Sequence, residues 1–183
     1  DRHAPDALVI YTSDHGDALA SHSINNKGAA MYDEITRIPF LVRWPNHSPA
    51  GAVCPHPVSH ISVAPTLMEA AGLPVPKSLE GASMLKTILN PATPSDDVIF
   101  IEFGRYEVDH DGFGGFQPIR CGFDGRHKLV LNLLTSDELY DLQADPEEMT
   151  NLIESKAHCG ARNALHDRIL DWMNRTRDPF RGY

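Results

Sequence analysis

The chain has 183 residues, 42% of them hydrophobic, which is enough for one sizeable core or for a core with a small satellite domain. Its 16 Lys and Arg stand against 25 Asp and Glu, so the formal net charge is -9. This balance argues against nucleic-acid binding by counterion release, which needs clustered positive charge. No apolar run approaches the roughly 18 to 20 residues of a membrane span. Neither nucleic acid nor a membrane is therefore predicted as a partner.

The cysteines indicate the redox environment. Cys54, Cys121 and Cys159 are an odd number, lie far apart and include no CxxC pair. They predict neither a disulfide framework nor a zinc site. Reduced cysteines favour a reducing compartment, so the cytoplasm is the expected location and the periplasm is the alternative.

The first half of the chain reads as part of an α/β domain. Residues 7–12 form a short, continuous apolar run that predicts a buried strand of a mostly parallel sheet covered on both faces. Pro65 and Gly72 mark the start and the end of a predicted helix. The predicted elements after the first strand are a short helix at 28–34, a strand at 38–44, a helix at 62–71 and a weaker helix at 83–89. The turn-rich segment 90–96 indicates a boundary between a domain at 1–96 and a subdomain at 97–183.

The second half predicts a small antiparallel sheet and a long helix. Three β-type runs, at 98–102, 119–123 and 128–134, are separated by glycine-rich turns. Leu165, Ile169, Trp172 and Met173 follow helical spacing and form an apolar stripe that would pack on this sheet. The predicted fold class is α/β: the end of a large central mixed sheet flanked by helices, then a small antiparallel sheet packed on a C-terminal helix.

Two ligand-type side chains follow the first predicted strand. Asp14 and His15 precede Gly16, which gives the backbone room to turn, and this pair is suited to one wall of a metal site. Lys27 is the only lysine among the first 76 residues, and its ammonium would stabilise charge on a transferring sulfuryl or phosphoryl group. The alternative is a loop-capping Asp14 beside a solvent-exposed His15.

The chain resembles the carboxyl-terminal part of a sulfatase of the alkaline phosphatase superfamily, with similar blocks in the family's order. The blocks that carry the resemblance are "LVIYTSDHGDALASH" with Lys27, "YDEITRIPFLVRWP", "VSHISVAPTLMEAAGLPVP", "LEGASML" and "HKLVLNLLTSDELYDLQADPEEMTNL". The last block is the most family-specific. It resembles the family's closing signature.

The resemblance implies roles for individual residues. Asp14 and His15 match the family's two metal ligands in this half, with Ca²⁺ implied and Mg²⁺ or Mn²⁺ as alternatives. Lys27 matches the lysine that contacts the anion and the leaving-group oxygen. His22 falls where many members have a histidine, for which a catalytic and a loop-orienting role are both open. The implied reaction is nucleophilic displacement at sulfur in a sulfate ester, such as that of a sulfated small molecule or sugar.

The family's nucleophile is absent from this sequence. Sulfatases use a formylglycine made from the Cys or Ser of a Cys/Ser-x-Pro/Ala-x-Arg motif in the amino-terminal half, and none of the three cysteines fits this motif. Cys159 comes nearest but has Asn163 in place of the arginine. The paired aspartates of the other half of the metal shell are missing too. We therefore expect the amino-terminal half as a partner, and little or no hydrolysis by these residues alone.

Other polar residues are weaker candidates. By resemblance, the segment 105–120 leads into the small subdomain near the active-site mouth, so His110, Asp111 and Arg120 are candidate substrate contacts, with a flexible surface loop as the alternative. His47, His56 and His60 lie in a proline-rich loop, but their spacing matches no standard metal site.

Three functions stay open at this point. The leading one is the carboxyl-terminal portion of a metal-dependent sulfatase. The second is a phosphodiester or phosphonate monoester hydrolase of the same superfamily. The third is a non-catalytic fragment that pairs with another chain, because a cut sheet would expose apolar faces and unpaired strand edges.

Overall fold

The computed structural model describes residues 4–95, 97–105 and 115–182. The chain divides into two compact units. Unit 1 comprises residues 1–14 and 38–96, and unit 2 comprises residues 15–37 and 97–183. Residues 15–37 thus group with the carboxyl-terminal part of the chain, although the predicted division at residue 96 assigned them to the first domain.

Unit 1 contains a two-stranded antiparallel sheet. Strand β1 (Val9–Thr12) pairs with β2 (Phe40–Arg43). The strand predicted at 7–12 is present, but its pairing with β2 is antiparallel rather than parallel. It is also exposed rather than buried, since Val9 is 48% and Tyr11 is 66% exposed. The apolar sequence shows that this strand is suited to burial, but no described residue of unit 1 covers these side chains.

Two helices complete unit 1, close to the positions predicted. Helix α2 spans Val63–Ala70 and helix α3 spans Leu85–Leu89. Thr66, which is fully buried, links them: its hydroxyl donates to the Ser62 carbonyl and accepts from the Met84 amide at 2.9 Å. The left-handed φ of Gly72, +69°, is the conformation that glycine commonly supplies after a helix end.

Unit 2 contains the predicted antiparallel sheet, with one strand more than predicted. Its strands are β3 (Ile99–Arg105), β4 (Phe116–Phe123), β5 (His127–Asn132) and β6 (Glu138–Asp141), in that order. The fourth strand is short and polar at both ends, so its alternation is too brief to predict from sequence. The helix α4 (Cys159–Thr176) covers one face through Leu165, Ile169 and Met173, as the apolar stripe predicted.

Residues 15–37 cover the opposite face of the same sheet. Met31 packs against Ile119, Cys121 and Val130 in a second apolar cluster. The predicted helix at 28–34 is mostly wrong, since helix α1 comprises only Asp33–Thr36. The preceding residues are not helical, and Ala29 and Met31 contribute side chains to this cluster instead. Both faces of the sheet are therefore buried, which explains the near-continuous apolar sequence of β5.

No helix within the described residues has the length and apolar character needed to cross a membrane.

Candidate active site

The lysine and the histidine predicted as functional residues lie side by side in unit 2. The Nζ atom of Lys27 is 3.1 Å from Nε2 of His15, and Nδ1 of His15 is 2.7 Å from the Gly16 carbonyl oxygen. Because a carbonyl only accepts hydrogen bonds, Nδ1 carries the ring proton and Nε2 presents a lone pair, to which the Lys27 ammonium donates. The hydrogen-bond network thus assigns one tautomer to His15.

Gly16 is required by close packing between the histidine and helix α1. Its amide donates to the Ile35 carbonyl at 2.8 Å. A Cβ atom at this position would lie 1.9 Å from the carbonyl oxygen of Glu34, so no other residue fits without a backbone shift. The glycine of the Asp-His-Gly triplet therefore allows the backbone next to His15 to pack closely against α1.

The loop between His15 and Lys27 carries backbone strain. Four of its non-glycine residues have left-handed φ angles between 47° and 72°: Leu19, Ala20, His22 and Ser23. Such conformations persist only when the surroundings impose them, and they are concentrated at functional sites. Two side chains supply local support: Asp17 accepts a hydrogen bond from the Leu19 amide at 2.8 Å, and the Ser21 hydroxyl donates to Glu34.

His22 is held by an aromatic stack. Its ring lies parallel to that of Tyr32, with centroids 3.6 Å apart, and its Nε2 atom is buried without a hydrogen-bond partner among the described residues. The stack favours the loop-orienting role that the sequence left open. The catalytic role of His22 stays a prediction.

Asp14 belongs to unit 1, whereas His15 belongs to unit 2. The Asp14 side chain is exposed, and its Oδ1 accepts a hydrogen bond from the Ser13 hydroxyl at 3.3 Å. The Ser13 carbonyl in turn accepts from Nε2 of His60. His60 thus supports the backbone just before Asp14.

Within the described part of the chain, no three or more His, Cys, Asp and Glu side chains are arranged to hold a metal ion. The histidines of the proline-rich loop have other contacts. His47 stacks on Trp44 with centroids 4.2 Å apart, and its Nδ1 lies 2.9 Å from the Pro45 carbonyl oxygen. These contacts orient loop residues.

The structure describes one of the three predicted substrate contacts. His110 and the neighbouring Asp111 lie outside the described residues. Arg120 is 3% exposed on β4, and its Nε donates to Asp178 at 2.6 Å while Nη1 donates to the Phe103 and Ile119 carbonyls. This environment favours a structural role for Arg120 over the predicted substrate contact.

The family-specific closing block has structural roles in unit 2. Asp137 accepts from the Asn132 amide at 2.9 Å, and Asn151 accepts from the Leu139 amide at 3.0 Å. Asp141 accepts two hydrogen bonds from Arg126, at 3.0 and 2.6 Å. The Asn151 bond ties the β5–β6 hairpin to the loop before α4, and the other bonds join residues within the hairpin or at its start, so this signature stabilises the sheet.

The Asp141 carboxyl predicts a pH-dependent stability. Hydrogen bonds from Arg126 hold its pKa well below the ordinary 3.8, against an opposing effect of burial. A carboxyl whose pKa is lower in the folded state contributes stability above the unfolded-state value and loses it as the pH falls through the folded-state value. We therefore expect Asp141→Asn to lower the free energy of unfolding at pH 6 to 7, with a difference from wild type that shrinks below about pH 4. Urea unfolding from pH 2 to 7 measures this.

The matched control is Glu147→Gln, which neutralises an exposed carboxyl in the loop after β6. Its effect on the free energy of unfolding should be small at every pH. A difference between Asp141→Asn and wild type that stays constant from pH 2 to 7 would contradict the Arg126–Asp141 assignment.

Solved structures with known chemistry share this fold. The chain aligns with a protein solved in complex with its substrate D-glucosamine-2-N,6-O-disulfate, with a TM-score of 0.80, 25% identity and coverage of 94% of this chain and 35% of that one. It also aligns with the phosphonate monoester hydrolase of Agrobacterium radiobacter, with a TM-score of 0.76, 27% identity and coverage of 92% and 35%. The fold class is therefore confirmed: the chain is a carboxyl-terminal portion of the sulfatase type, in the alkaline phosphatase superfamily.

The family follows from the sequence match. The model of the family described as "N-sulphoglucosamine sulphohydrolase, C-terminal" matches residues 21–175, so the chain belongs to that family. The chain is also 47% identical, over 175 residues, to the uncharacterized sulfatase YidJ of Escherichia coli strain K12. That alignment covers 96% of this chain and 34% of the relative, so the chain spans about a third of the relative's length. The match includes Lys27 and the closing block, whereas Asp14 and His15 precede the residues of the family model.

Proposed function

We propose that this chain is the carboxyl-terminal portion of a metal-dependent sulfatase that hydrolyses sulfate esters. The observation that carries the proposal is the 3.1 Å contact between Nζ of Lys27 and Nε2 of His15. It brings together the lysine and the histidine to which the resemblance gives the anion-binding and metal-binding roles, and a metal bound at Nε2 would replace Lys27 as the partner of that lone pair. Family membership supports the same assignment.

The residues of this chain fit part of a metal site. The Gly16 carbonyl fixes the proton of His15 on Nδ1, which leaves Nε2 as the ligating atom, a common arrangement for metal-bound histidine. The resemblance assigns a carboxylate ligand to Asp14, the residue before His15 in the sequence. Ca²⁺ takes six to eight ligands, so further ligands must come from the amino-terminal half. Ca²⁺ is the metal that we propose, with Mg²⁺ or Mn²⁺ as alternatives.

Lys27 has the central role among the residues of this chain. When bound, the metal would neutralise charge on the sulfate oxygens. The Lys27 ammonium would stabilise the negative charge that develops on the leaving-group oxygen as the S–O bond breaks. The formylglycine nucleophile would be supplied by the amino-terminal half, so these 183 residues alone are inactive in this proposal.

The proposed substrate is a sulfated sugar or another sulfated small molecule. A protein with which this chain shares its fold was solved with D-glucosamine-2-N,6-O-disulfate as its substrate. His110 stays a proposed substrate contact. We further propose a reducing compartment such as the cytoplasm, with the periplasm as the alternative, because Cys54, Cys121 and Cys159 are free thiols.

Two alternatives have observations in their favour. The likeness to a phosphonate monoester hydrolase, at 27% identity, favours a phosphonate or phosphodiester substrate. The exposed apolar side chains of the β1–β2 sheet favour a non-catalytic fragment that pairs with another chain, since Tyr11 is 66% and Leu41 59% exposed.

A comparison of substrates distinguishes these functions. The protein is used as its native host makes it. With Ca²⁺ present, we expect kcat/KM for 4-nitrophenyl sulfate and for glucosamine sulfates to exceed that for a phenyl phosphonate ester by tenfold or more, about 1.4 kcal/mol of transition-state discrimination. The reverse order would support the phosphonate hydrolase. Absence of turnover with every ester would support the non-catalytic fragment.

A further inference from the structure

Lys128 is a buried cation on β5. It is 1% exposed and directly precedes the apolar residues of that strand. Its Nζ donates to the Met31 carbonyl at 2.9 Å and to Asp33 at 2.5 Å, and it lies 2.9 Å from Oε1 of Glu148. The ammonium thus donates two hydrogen bonds and forms ion pairs with both carboxylates. Although burial opposes the charge, the two carboxylates raise the pKa of Lys128 above its ordinary value, so it stays charged.

Glu148 connects this cation to the start of helix α1. While its Oε1 faces Lys128, its Oε2 accepts a hydrogen bond from the Asp33 backbone amide at 2.6 Å. Glu148 is 2% exposed and has a left-handed φ of 51°. Lys128 and Glu148 together thus hold both the backbone and the side chain of the first residue of α1.

Helix α1 in turn supports the segment that carries His15 and Lys27. The Gly16 amide bonds to Ile35 of α1, and the Ser21 hydroxyl donates to Glu34. Tyr32, immediately before α1, stacks on His22. Each of these contacts lies within unit 2, so a continuous set of hydrogen bonds joins β5 to the residue beside His15.

We infer that Lys128 and Glu148 form a positioning network that sets the placement of His15 and Lys27 through helix α1. The effect of this network on catalysis rests on the proposed function. Neither residue touches the site itself. Misplacement of reacting groups by about 1 Å can cost about 100-fold in rate, so a small shift of α1 would be measurable.

The primary test is Glu148→Gln in the protein as its native host makes it. Glutamine has one acceptor oxygen, so its NH₂ group must face either the Lys128 ammonium or the Asp33 amide, which are both donors. We expect α1 to shift, kcat for 4-nitrophenyl sulfate to fall about 10- to 100-fold, and KM to stay within about twofold. Histidine-selective ¹⁵N NMR should show a change in the His15 ring signals, independently of turnover.

Two further variants separate positioning from stability. Lys128→Met/Glu148→Leu removes both charges, an exchange that often preserves or restores stability. It should recover Tm without recovering kcat or the His15 signals. Asp141→Asn, which breaks an ion pair on the same sheet without contacting α1, should lower Tm and leave the kcat of the folded protein and the His15 signals unchanged.

The possible outcomes are distinguishable. Wild-type kcat and unchanged His15 signals in a folded Glu148→Gln protein would overturn the inference, as would recovery of kcat together with Tm in the double variant. If the wild-type protein has no turnover, the proposed function fails. The NMR comparison then still decides whether the network positions His15.

Discussion

Replacement of Lys27 by alanine in the complete enzyme is expected to lower kcat for sulfate esters by about 100- to 1,000-fold, the usual cost of removing one group that stabilises developing charge. The ammonium lies 3.1 Å from Nε2 of His15, where the proposed metal would bind. Lys27 is exposed, so its removal leaves no cavity and no buried charge. Folding should therefore be nearly unaffected. Steady-state kinetics with 4-nitrophenyl sulfate, alongside thermal unfolding, measures both effects.

A matched control is Lys86→Ala, which removes an exposed lysine from helix α3. Its kcat should equal that of the wild type. If the folded Lys27→Ala protein turns over at the wild-type rate, Lys27 has no part in the mechanism.

The purified 183-residue chain by itself is expected to show no turnover above the uncatalysed rate. Its sequence contains no Cys/Ser-x-Pro/Ala-x-Arg motif for a formylglycine, and the described residues provide no group of three or more metal ligands. Without a nucleophile, charge stabilisation by Lys27 has no covalent step to accelerate. The measurement is hydrolysis of 4-nitrophenyl sulfate at high protein concentration, with Ca²⁺, Mg²⁺ or Mn²⁺ added.

The control for this assay is the Lys27→Ala form of the same chain, purified in parallel. Equal residual rates in the two preparations would identify a contaminating sulfatase. Turnover that co-elutes with the wild-type chain and is lost in the Lys27→Ala chain would show that these residues suffice for catalysis, contrary to the proposal.

Elements with a long local pattern were predictable from sequence. Helix α4 has its apolar residues at helical spacing over about two and a half turns, and the runs that became β3, β4 and β5 are bounded by turn residues. Short elements were not. Strand β6 has four residues, and α1 has four, so each is too short for its apolar pattern to repeat often enough to be recognised.

The candidate site was only partly predictable. The Asp-His-Gly triplet and Lys27 stood out by residue type, and the resemblance suggested their roles. The contact between His15 and Lys27 joins residues 12 positions apart across a strained loop, which no local pattern encodes. The signal that sequence reasoning missed was Lys128, a charged residue immediately before the apolar residues 129–131 of β5.

The amino-acid sequence by itself determined the family, the order of most elements and the residue types of the site, because these depend on short motifs and on periodic apolar positions. Only the tertiary structure decided that residues 15–37 cover the sheet of unit 2 and that Lys128 is buried against Asp33 and Glu148. The physical reason is that the contacts of residues 31–33 with Lys128 and Glu148 join residues 95 to 115 positions apart. The free energy of these contacts comes from the joint burial of the charged groups and from their pairing, and both exist only after the chain has folded.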